Sequence, residues 1–306
     1  MINGRSFTAL IFAYNEELYV RDAIEAVACQ KGLDRIIFID DQSTDATMTV
    51  VKSLDLDIPI DFFYNPKKGK ANAFAYGLSM VDSDFFFVVH GDDQLLPNYI
   101  VNIYKYLESQ NIEFCYANSI LCDIDMNPIR EVNVKDYYSS DEIINKNSVG
   151  GYLFANTSII SNILPFPDDL SHEDWFMNIK LAICFNGLHV YTPAMFKYRR
   201  HPGSDSIRLN KKLSRRSYNL TNRILDEGLI TLNTQQLEIM KSINSKHLAL
   251  SQVMDYLFND KNSKMPNDFL LCSHFSKYIK IMIVIRWIFG QRVCTSLDSL
   301  IINLRR

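Results

Sequence analysis

The chain of 306 residues is 47% hydrophobic and 22% charged, which is enough apolar material for a buried core and excludes a disordered or fibrous protein. Its net charge of -3 argues against a dedicated nucleic-acid-binding protein, because such domains carry a basic excess that meets phosphates. Residues 1–206 hold 16 Lys and Arg against 28 Asp and Glu, whereas residues 207–306 hold 16 against 7. The sequence therefore predicts an acidic body suited to metal ions and a basic C-terminal part suited to an anionic surface.

Short apolar runs alternate with helical patterns over the first hundred residues, which is typical of βαβ units with a parallel sheet. The pattern predicts strands over residues 7–14, 35–39, 60–64 and 85–89. It also predicts a helix capped by Asn15 that runs to about residue 30, a second that opens at Asp45, a third over residues 70–80, and a fourth that begins near Pro97.

The pattern loosens after residue 113 into short strands and polar loops. A helix is predicted over residues 173–185, and two short strands over 189–191 and 195–198. Residues 237–257 and 275–289 read as helices. The apolar runs 7–14 and 278–290 are too short for a signal peptide or a membrane-spanning helix, and the six cysteines show no metal-site or disulfide spacing, so we expect a cytoplasmic protein.

Two acidic pairs follow predicted strands directly. Asp40 and Asp41 come after the second strand, and Asp92 and Asp93 come after the fourth. The carboxyl ends of parallel strands line the ligand crevice, where a carboxylate can accept from a base N–H or a ribose hydroxyl. Two adjacent acids repel each other unless a cation is present, which favours Mg²⁺ or Mn²⁺ bound with a substrate's phosphates. The alternatives are a helix cap for the first pair and a solvated turn for the second.

Three further segments carry polar groups that suit an anionic substrate. Residues 65–72 follow the third strand with three lysines at a helix start, residues 171–175 open a helix with Glu173 and Asp174, and residues 198–206 contain Arg199, Arg200 and His201. The alternatives are solvated surface, a helix cap and a basic turn, respectively. The chain has neither GxxxxGK[ST] nor GxGxxG, so no motif supports an ATPase or a dinucleotide-dependent dehydrogenase.

Taken in order over residues 6–206, these motifs resemble the inverting glycosyltransferases of family 2, which have the GT-A fold and use nucleotide-sugar donors. The resemblance implies that Asp174 is the catalytic base. It implies that Asp93 and His201 bind Mn²⁺ or Mg²⁺. The residues that it implies in nucleotide-sugar binding are Ala13, Tyr14, Glu16, Asp41, Lys70, Asp92, Arg199, Arg200 and Ser206.

The resemblance further implies an α/β, Rossmann-like and mostly parallel sheet flanked by helices over residues 1–206, with a nucleotide-sugar half to about residue 112 and an acceptor half after it. The implied reaction moves a hexose or N-acetylhexosamine from a UDP-sugar to a glycan or lipid-linked glycan in bacterial capsule, O-antigen or lipopolysaccharide assembly. Two departures from the family pattern are Phe12, where proline is common, and His90, where many members have aspartate. The alternatives are a catalytically silent GT-A subunit and a nucleotidyltransferase.

The basic C-terminal part, residues 207–306, is predicted to be a helical extension. It groups Lys211, Lys212, Arg215 and Arg216, and its segment 278–290 sets apolar residues beside Lys280 and Arg286. Such segments can lie on an anionic leaflet, so we expect peripheral attachment to the cytoplasmic membrane face. The alternative is a helical cap whose apolar face covers the catalytic domain or forms a dimer.

Overall fold

A computed structural model describes residues 2–201, 210–259 and 279–283, with the side chains of residues 213–257 in the second range. The chain divides into two compact units, Met1–Ser204 and Asp205–Arg306. The assignment of catalysis to residues 1–206 and of membrane attachment to residues 207–306 stays a prediction.

The first unit contains ten strands and seven α-helices within its described residues. The strands are β1 (Phe7–Ala13), β2 (Arg35–Asp40), β3 (Ile60–Tyr64), β4 (Phe85–His90), β5 (Gln94–Leu95), β6 (Phe114–Cys122), β7 (Pro128–Glu131), β8 (Tyr137–Tyr138), β9 (Leu153–Asn156) and β10 (Leu188–Arg199). The helices are α1 (Val20–Ala28), α2 (Thr47–Lys52), α3 (Lys70–Leu78), α4 (Tyr99–Gln110), α5 (Ser140–Asn145), α6 (Ile160–Ile163) and α7 (Glu173–Cys184).

The strands form one mixed sheet in the order β3-β2-β1-β4-β9-β6-β10-β5, with β7 beside β6 and β8 beside β10. Strands β1, β2, β3 and β4 pair in parallel, and β10 pairs in parallel with β6. Strand β9 is antiparallel to both β4 and β6, so β4 and β6 run in the same direction. Six strands, β1 to β4, β6 and β10, therefore have their C-terminal ends along the same edge of the sheet. The predicted α/β fold with a mostly parallel sheet is confirmed.

The central strands are held by an aromatic core. The rings of Phe87 and Phe154 stack at 5.8 Å between centroids, and Phe7 packs against Phe85 at 5.5 Å and edge-on to Tyr104 at 5.3 Å. All five side chains are buried, and such aromatic pairs stabilise a core by about 0.5–1.5 kcal/mol beyond the area they bury. This packing fixes β1, β4 and β9 relative to one another and so holds the strand ends that carry polar residues.

Two local predictions were wrong. Asn15 does not cap a helix, because α1 begins only at Val20. Asn15 has a left-handed φ of 57°, and its Oδ1 accepts from the Thr44 N–H at 2.8 Å. The two short strands predicted at 189–191 and 195–198 are the single strand β10, whose register against β6 shifts on either side of Ala194. These bulges interrupt the alternation of apolar and polar residues that a regular strand shows.

The second unit contains α8 (Asn210–Glu227), α9 (Thr234–Met254) and a π-helical turn (Asp255–Asn259) among its described residues. Thr221 Oγ1 donates to Asn244 Oδ1 at 2.7 Å, which joins α8 to α9, and Arg215 pairs with Asp255. No helix in the described residues has both the length and the apolar character needed to cross a membrane. The side chains of Lys211 and Lys212 and most of segment 278–290 lie outside the described residues, so membrane attachment stays a prediction.

Candidate active site

The predicted site residues of β1, β2, β4 and β10 lie at the edge of the sheet where these parallel strands end. The Asp41 N–H donates to the Ala13 carbonyl at 2.9 Å, and the Gly91 N–H donates to the Phe12 carbonyl at 2.9 Å. A Cβ on Gly91 would lie only 2.8 Å from the Ala13 Cβ, so glycine is needed for this close approach. These backbone hydrogen bonds thus bring the two acidic pairs, Asp40 with Asp41 and Asp92 with Asp93, to the same edge of the sheet.

One cluster at this edge contains Glu16, Asp92 and His201. One ligand atom from each lies within 4.8 Å of the others, with His201 Nε2 3.1 Å from Asp92 Oδ2 and 4.0 Å from Glu16 Oε2. Burial alone would raise the pKa of Asp92, but the hydrogen bond with His201 and the nearby imidazole of His90 outweigh it, and the pKa lies below its ordinary value. The cluster therefore presents an ionised carboxylate beside an imidazole.

Asp93 lies in a different environment from Asp92. Its Oδ1 accepts from the Arg199 N–H at 2.7 Å, and its Oδ2 accepts from the Tyr152 hydroxyl. Burial and the neighbouring charge of Asp92 raise the pKa of Asp93 well above its ordinary value. The structure thus pairs His201 with Asp92. That Asp93 and His201 share a metal stays a prediction.

Arg199 is used within the protein. Its Nε donates to the Asp92 carbonyl at 2.9 Å, its Nη1 donates to the Ile124 carbonyl at 2.5 Å, and its guanidinium lies 4.7 Å from the centroid of the Tyr19 ring. This buried guanidinium holds the Asp92 backbone in place, and its contact with a donor diphosphate stays a prediction. Arg200 is exposed, and Ser206 lies outside the described residues.

Asp41 is fastened to the loop that follows β3. Its Oδ1 accepts from Asn65 Nδ2 at 2.6 Å and from the Gly69 N–H at 2.8 Å. Asp40 Oδ1 and Asn65 Oδ1 are buried acceptors without a hydrogen-bond partner in the described structure. Buried acceptors of this kind are rare, so a donor group or an ordered water belongs here.

The basic loop between β3 and α3, residues 65–69, lies beside the end of β1. Lys68 Nζ is 4.2 Å from the centroid of the Tyr14 ring, so a cation and an aromatic face adjoin the backbone at Ala13. Lys70, the residue expected to bind the donor, is the exposed first residue of α3. The structure therefore brings Lys68 into contact with Tyr14.

Asp174 lies in the first turn of α7. Its Oδ1 accepts from the Trp175 N–H at 2.7 Å, and its Oδ2 accepts from Asn147 Nδ2 at 3.0 Å. A Cβ on Gly151 would lie 3.8 Å from the Asp174 Cβ and 3.4 Å from His90 Nε2. Asp174 and His90, the last residue of β4, therefore both adjoin Gly151.

Comparisons with known proteins identify the family of this chain. The model of the family "Glycosyl transferase family 2" matches residues 8–161, half of the chain. This chain belongs to glycosyl transferase family 2. The predicted family and enzyme class are confirmed.

Two curated relatives cover different shares of this family 2 glycosyltransferase. An uncharacterized glycosyltransferase of Rickettsia conorii is 24% identical over 85% of this chain and 43% of its own length. The lipopolysaccharide core biosynthesis glycosyltransferase LpsC of Rhizobium meliloti is 31% identical over 31% of this chain and 34% of its own length. The chain thus spans less than half the length of these curated relatives.

A solved structure has the same fold. The crystal structure of S. aureus TarS in complex with UDP-GlcNAc has a TM-score of 0.58 and 15% identity, and the match covers 80% of this chain and 72% of that chain. TarS with UDP gives a TM-score of 0.57. The predicted GT-A fold is confirmed.

The donor set of this family 2 site fits a divalent cation. Two carboxylates and one imidazole from Glu16, Asp92 and His201 converge within 4.8 Å, and such nitrogen and oxygen ligands suit Mn²⁺ and, for the carboxylates, Mg²⁺. The ionised carboxylate of Asp92 lies close to a second acid of the cluster, Glu16. A cation also fits this arrangement, because it would offset the repulsion between the two carboxylates.

Sequence reasoning missed several residues that shape this site. Tyr19 packs on His201 at 4.5 Å between ring centroids, Tyr152 donates to Asp93, and Asn147 donates to Asp174. None of the three follows a predicted strand or stands within a motif, so no sequence signal separated them from ordinary loop and core residues. Asn65 did carry a signal, because it follows β3 directly.

Proposed function

We propose that this protein is an inverting, metal-dependent glycosyltransferase that moves a hexose or N-acetylhexosamine from a UDP-sugar to a hydroxyl of a glycan or lipid-linked glycan. The observation that carries the proposal is the carboxylate of Asp174 across Gly151 from His90, at the edge that also carries the Glu16, Asp92 and His201 cluster. The UDP-GlcNAc bound by TarS supports the donor class, and the similarity to LpsC, a lipopolysaccharide core biosynthesis glycosyltransferase, supports lipopolysaccharide assembly.

In this mechanism Asp174 accepts the proton of the acceptor hydroxyl as its oxygen attacks the anomeric carbon from the face opposite the leaving group. A positioned general base of this kind contributes about 10²- to 10⁴-fold to a rate. Inversion follows because the nucleophile and the leaving UDP occupy opposite faces of the sugar. No covalent intermediate with the enzyme is needed.

The leaving diphosphate gains negative charge as the glycosidic bond to UDP breaks. Glu16, Asp92 and His201 would hold Mn²⁺ or Mg²⁺, which when bound supplies electrostatic stabilisation of that charge. Arg199 fixes the Asp92 backbone and so keeps the carboxylate in the cluster. Asp41, held by Asn65 and the Gly69 N–H, is our candidate acceptor for the uracil N–H, and Lys68 on Tyr14 borders the base.

The first test is a thermal-shift panel of UDP, GDP, CDP and dTDP, each with and without Mn²⁺. A ligand that binds only the folded protein raises its melting temperature by mass action. We expect a shift with UDP that grows when Mn²⁺ is present. No shift with any nucleotide would favour the silent subunit, and pyrophosphate release from a nucleoside triphosphate would favour a nucleotidyltransferase.

The base assignment is tested with Asp174→Asn. We expect transfer, measured as UDP released from a panel of UDP-sugars with glycan acceptors, to fall by at least about 10²-fold, because the amide cannot accept the proton. The UDP thermal shift should stay unchanged. Asp169→Asn, the same chemical change at an exposed position, is the matched control and should remain active. A fully active Asp174→Asn enzyme would contradict the assignment.

A further inference from the structure

The carboxylate of Asp174 is held from a second segment of the chain. Asn147 follows α5 and stands 27 residues before Asp174, and its Nδ2 donates to Asp174 Oδ2 at 3.0 Å. The other oxygen of Asp174 accepts from the Trp175 N–H of its own helix. The two hydrogen bonds together fix the rotation of the carboxylate about its last torsion angle, which otherwise varies broadly.

The orientation of the Asn147 amide is itself determined by its neighbours. Asn147 Oδ1 accepts from Asn178 Nδ2 at 2.8 Å, so its NH₂ group must face Asp174. Asn178 Nδ2 also donates to the Gly150 carbonyl at 2.8 Å, and Asn178 Oδ1 accepts from the Tyr116 hydroxyl. Asn178 therefore uses both of its amide hydrogens and its oxygen within the protein.

These contacts form a chain of donors that runs in one direction, from Tyr116 through Asn178 and Asn147 to Asp174. Tyr116 and Asn178 are fully buried on β6 and α7, where an unsatisfied polar group costs about 1–3 kcal/mol. Burial raises the pKa of Tyr116 well above its ordinary value, and the nearby charge of Asp174 adds to this effect, so the hydroxyl stays protonated. The Tyr116 end of this series of hydrogen bonds is thus fixed in the core, whereas Asn147 is only half-buried.

We propose that Asn147 is a positioning residue that orients the Asp174 carboxylate toward the acceptor hydroxyl. This inference rests on the proposed function, because it assigns Asn147 a task only if Asp174 accepts a proton from an acceptor. Asn178 anchors Asn147 and, through the Gly150 carbonyl, the turn that leads to Gly151 between Asp174 and His90. A general base must keep within hydrogen-bond reach of its proton, so a loss of orientation lowers the rate of the chemical step.

The test compares Asn147→Ala with the wild-type enzyme in the UDP-release assay. We expect kcat to fall by about 10- to 100-fold, while the KM for the UDP-sugar and the UDP thermal shift change by less than about twofold. Asn145→Ala, two residues away at the exposed end of α5, is the matched control and should keep full activity. A wild-type enzyme with no transfer activity would overturn the proposed function, whereas an active wild type with a fully active Asn147→Ala would overturn this inference alone.

Two further variants separate positioning from packing. Asn147→Asp keeps the shape of the side chain but sets a second carboxylate against Asp174, so we expect kcat to fall at least as far as in Asn147→Ala. A merely structural role would let Asn147→Asp restore activity. In an Asp174→Asn background, Asn147→Ala should lower the residual rate by less than about twofold, because a residue that acts through another has nothing left to position. Equal fold losses in both backgrounds would overturn the proposal.

Discussion

The carboxylates at the two ends of the parallel strands have different neighbours. Where the strands begin, acids are paired with cations and backbone N–H groups. Asp84 accepts from Arg5 Nη1 and from the Ser6 N–H, each at 2.9 Å, and Arg35 binds both Asp61 and Asp82. These bonds join the start of β1 to the turn before β4, and β2 to β3, so this edge serves the fold.

Where the strands end, acids lie beside one another. Asp92 and Glu16 approach the same imidazole, Asp93 is directly beside Asp92, and the guanidinium of Arg199 binds the carbonyls of Asp92 and Ile124. Gathering like charges at partly buried positions costs stability unless a ligand compensates for their repulsion. The contrast therefore supports our proposal that the substrate binds at the strand-end edge.

Among the acids that directly follow the strands, the largest effect should come from the two adjacent aspartates. We expect Asp92→Asn to remove the Mn²⁺ dependence of the UDP thermal shift and to lower transfer by about 10- to 100-fold, because Asp92 faces His201 and Glu16. Asp93→Asn should keep the Mn²⁺ dependence, since Asp93 binds Tyr152 and the Arg199 backbone. Thermal shift and UDP release measure both effects.

The same pair of variants also tests the roles that the sequence motif implies. If Asp93→Asn abolished the Mn²⁺ dependence while Asp92→Asn retained it, Asp93 would be the metal ligand and the cluster around Asp92 would have another task. His201→Ala gives an independent measurement, because it should resemble Asp92→Asn rather than Asp93→Asn.

The strand-end edge was predictable as a location because strand periodicity shows where each strand ends. The apolar runs that became β1 to β4 placed Asp41 and Asp92 at one edge, and chain order alone sufficed for this. The pattern failed where hydrogen bonds override it. Asn15 binds the turn at Thr44 instead of capping α1, which is a contact between segments 29 residues apart.

The different contacts of adjacent residues within the site could not be predicted from the sequence. Asp92 and Asp93 are identical residues in adjacent positions, and only the fold decides that one faces His201 and the other Tyr152. Arg199 and Arg200 differ in the same way, because Arg199 is buried at the last residue of β10 and Arg200, directly after the strand, is exposed. Contacts such as Asn147 to Asp174 join loops to helices and have no periodic signature.

A smaller effect is expected from Gly91, which lets the ends of β1 and β4 meet. Gly91→Ala would bring a Cβ to 2.8 Å from the Ala13 Cβ and 3.3 Å from the Phe12 carbonyl, so the strand ends must separate. Overpacking of this kind destabilises a protein by about 1–3 kcal/mol, and urea unfolding would measure it. At Gly151 a Cβ would make only ordinary contacts of 3.4 Å or more, so Gly151→Ala should unfold like the wild type.

The smallest effect should come from the strand-start edge and should depend on pH. The hydrogen bonds from Ser6 and Arg5 hold the pKa of Asp84 below its ordinary value of 3.8, so the ionised carboxylate stabilises the folded state at neutral pH. Asp84→Asn should therefore lower the melting temperature by a few degrees at pH 7. This stabilisation is lost as the pH falls through the folded-state pKa, so the difference from wild type should narrow below the ordinary carboxyl pKa.

Melting curves between about pH 7 and pH 2.5 would follow this narrowing. Asp57→Asn is the matched control, since Asp57 is an exposed acid in the loop before β3. A difference between Asp84→Asn and wild type that stays constant over this range would mean that Asp84 stabilises β1 through shape rather than charge. None of these changes should alter the Mn²⁺-dependent UDP shift, because Asp84 lies at the edge opposite the cluster of Glu16, Asp92 and His201.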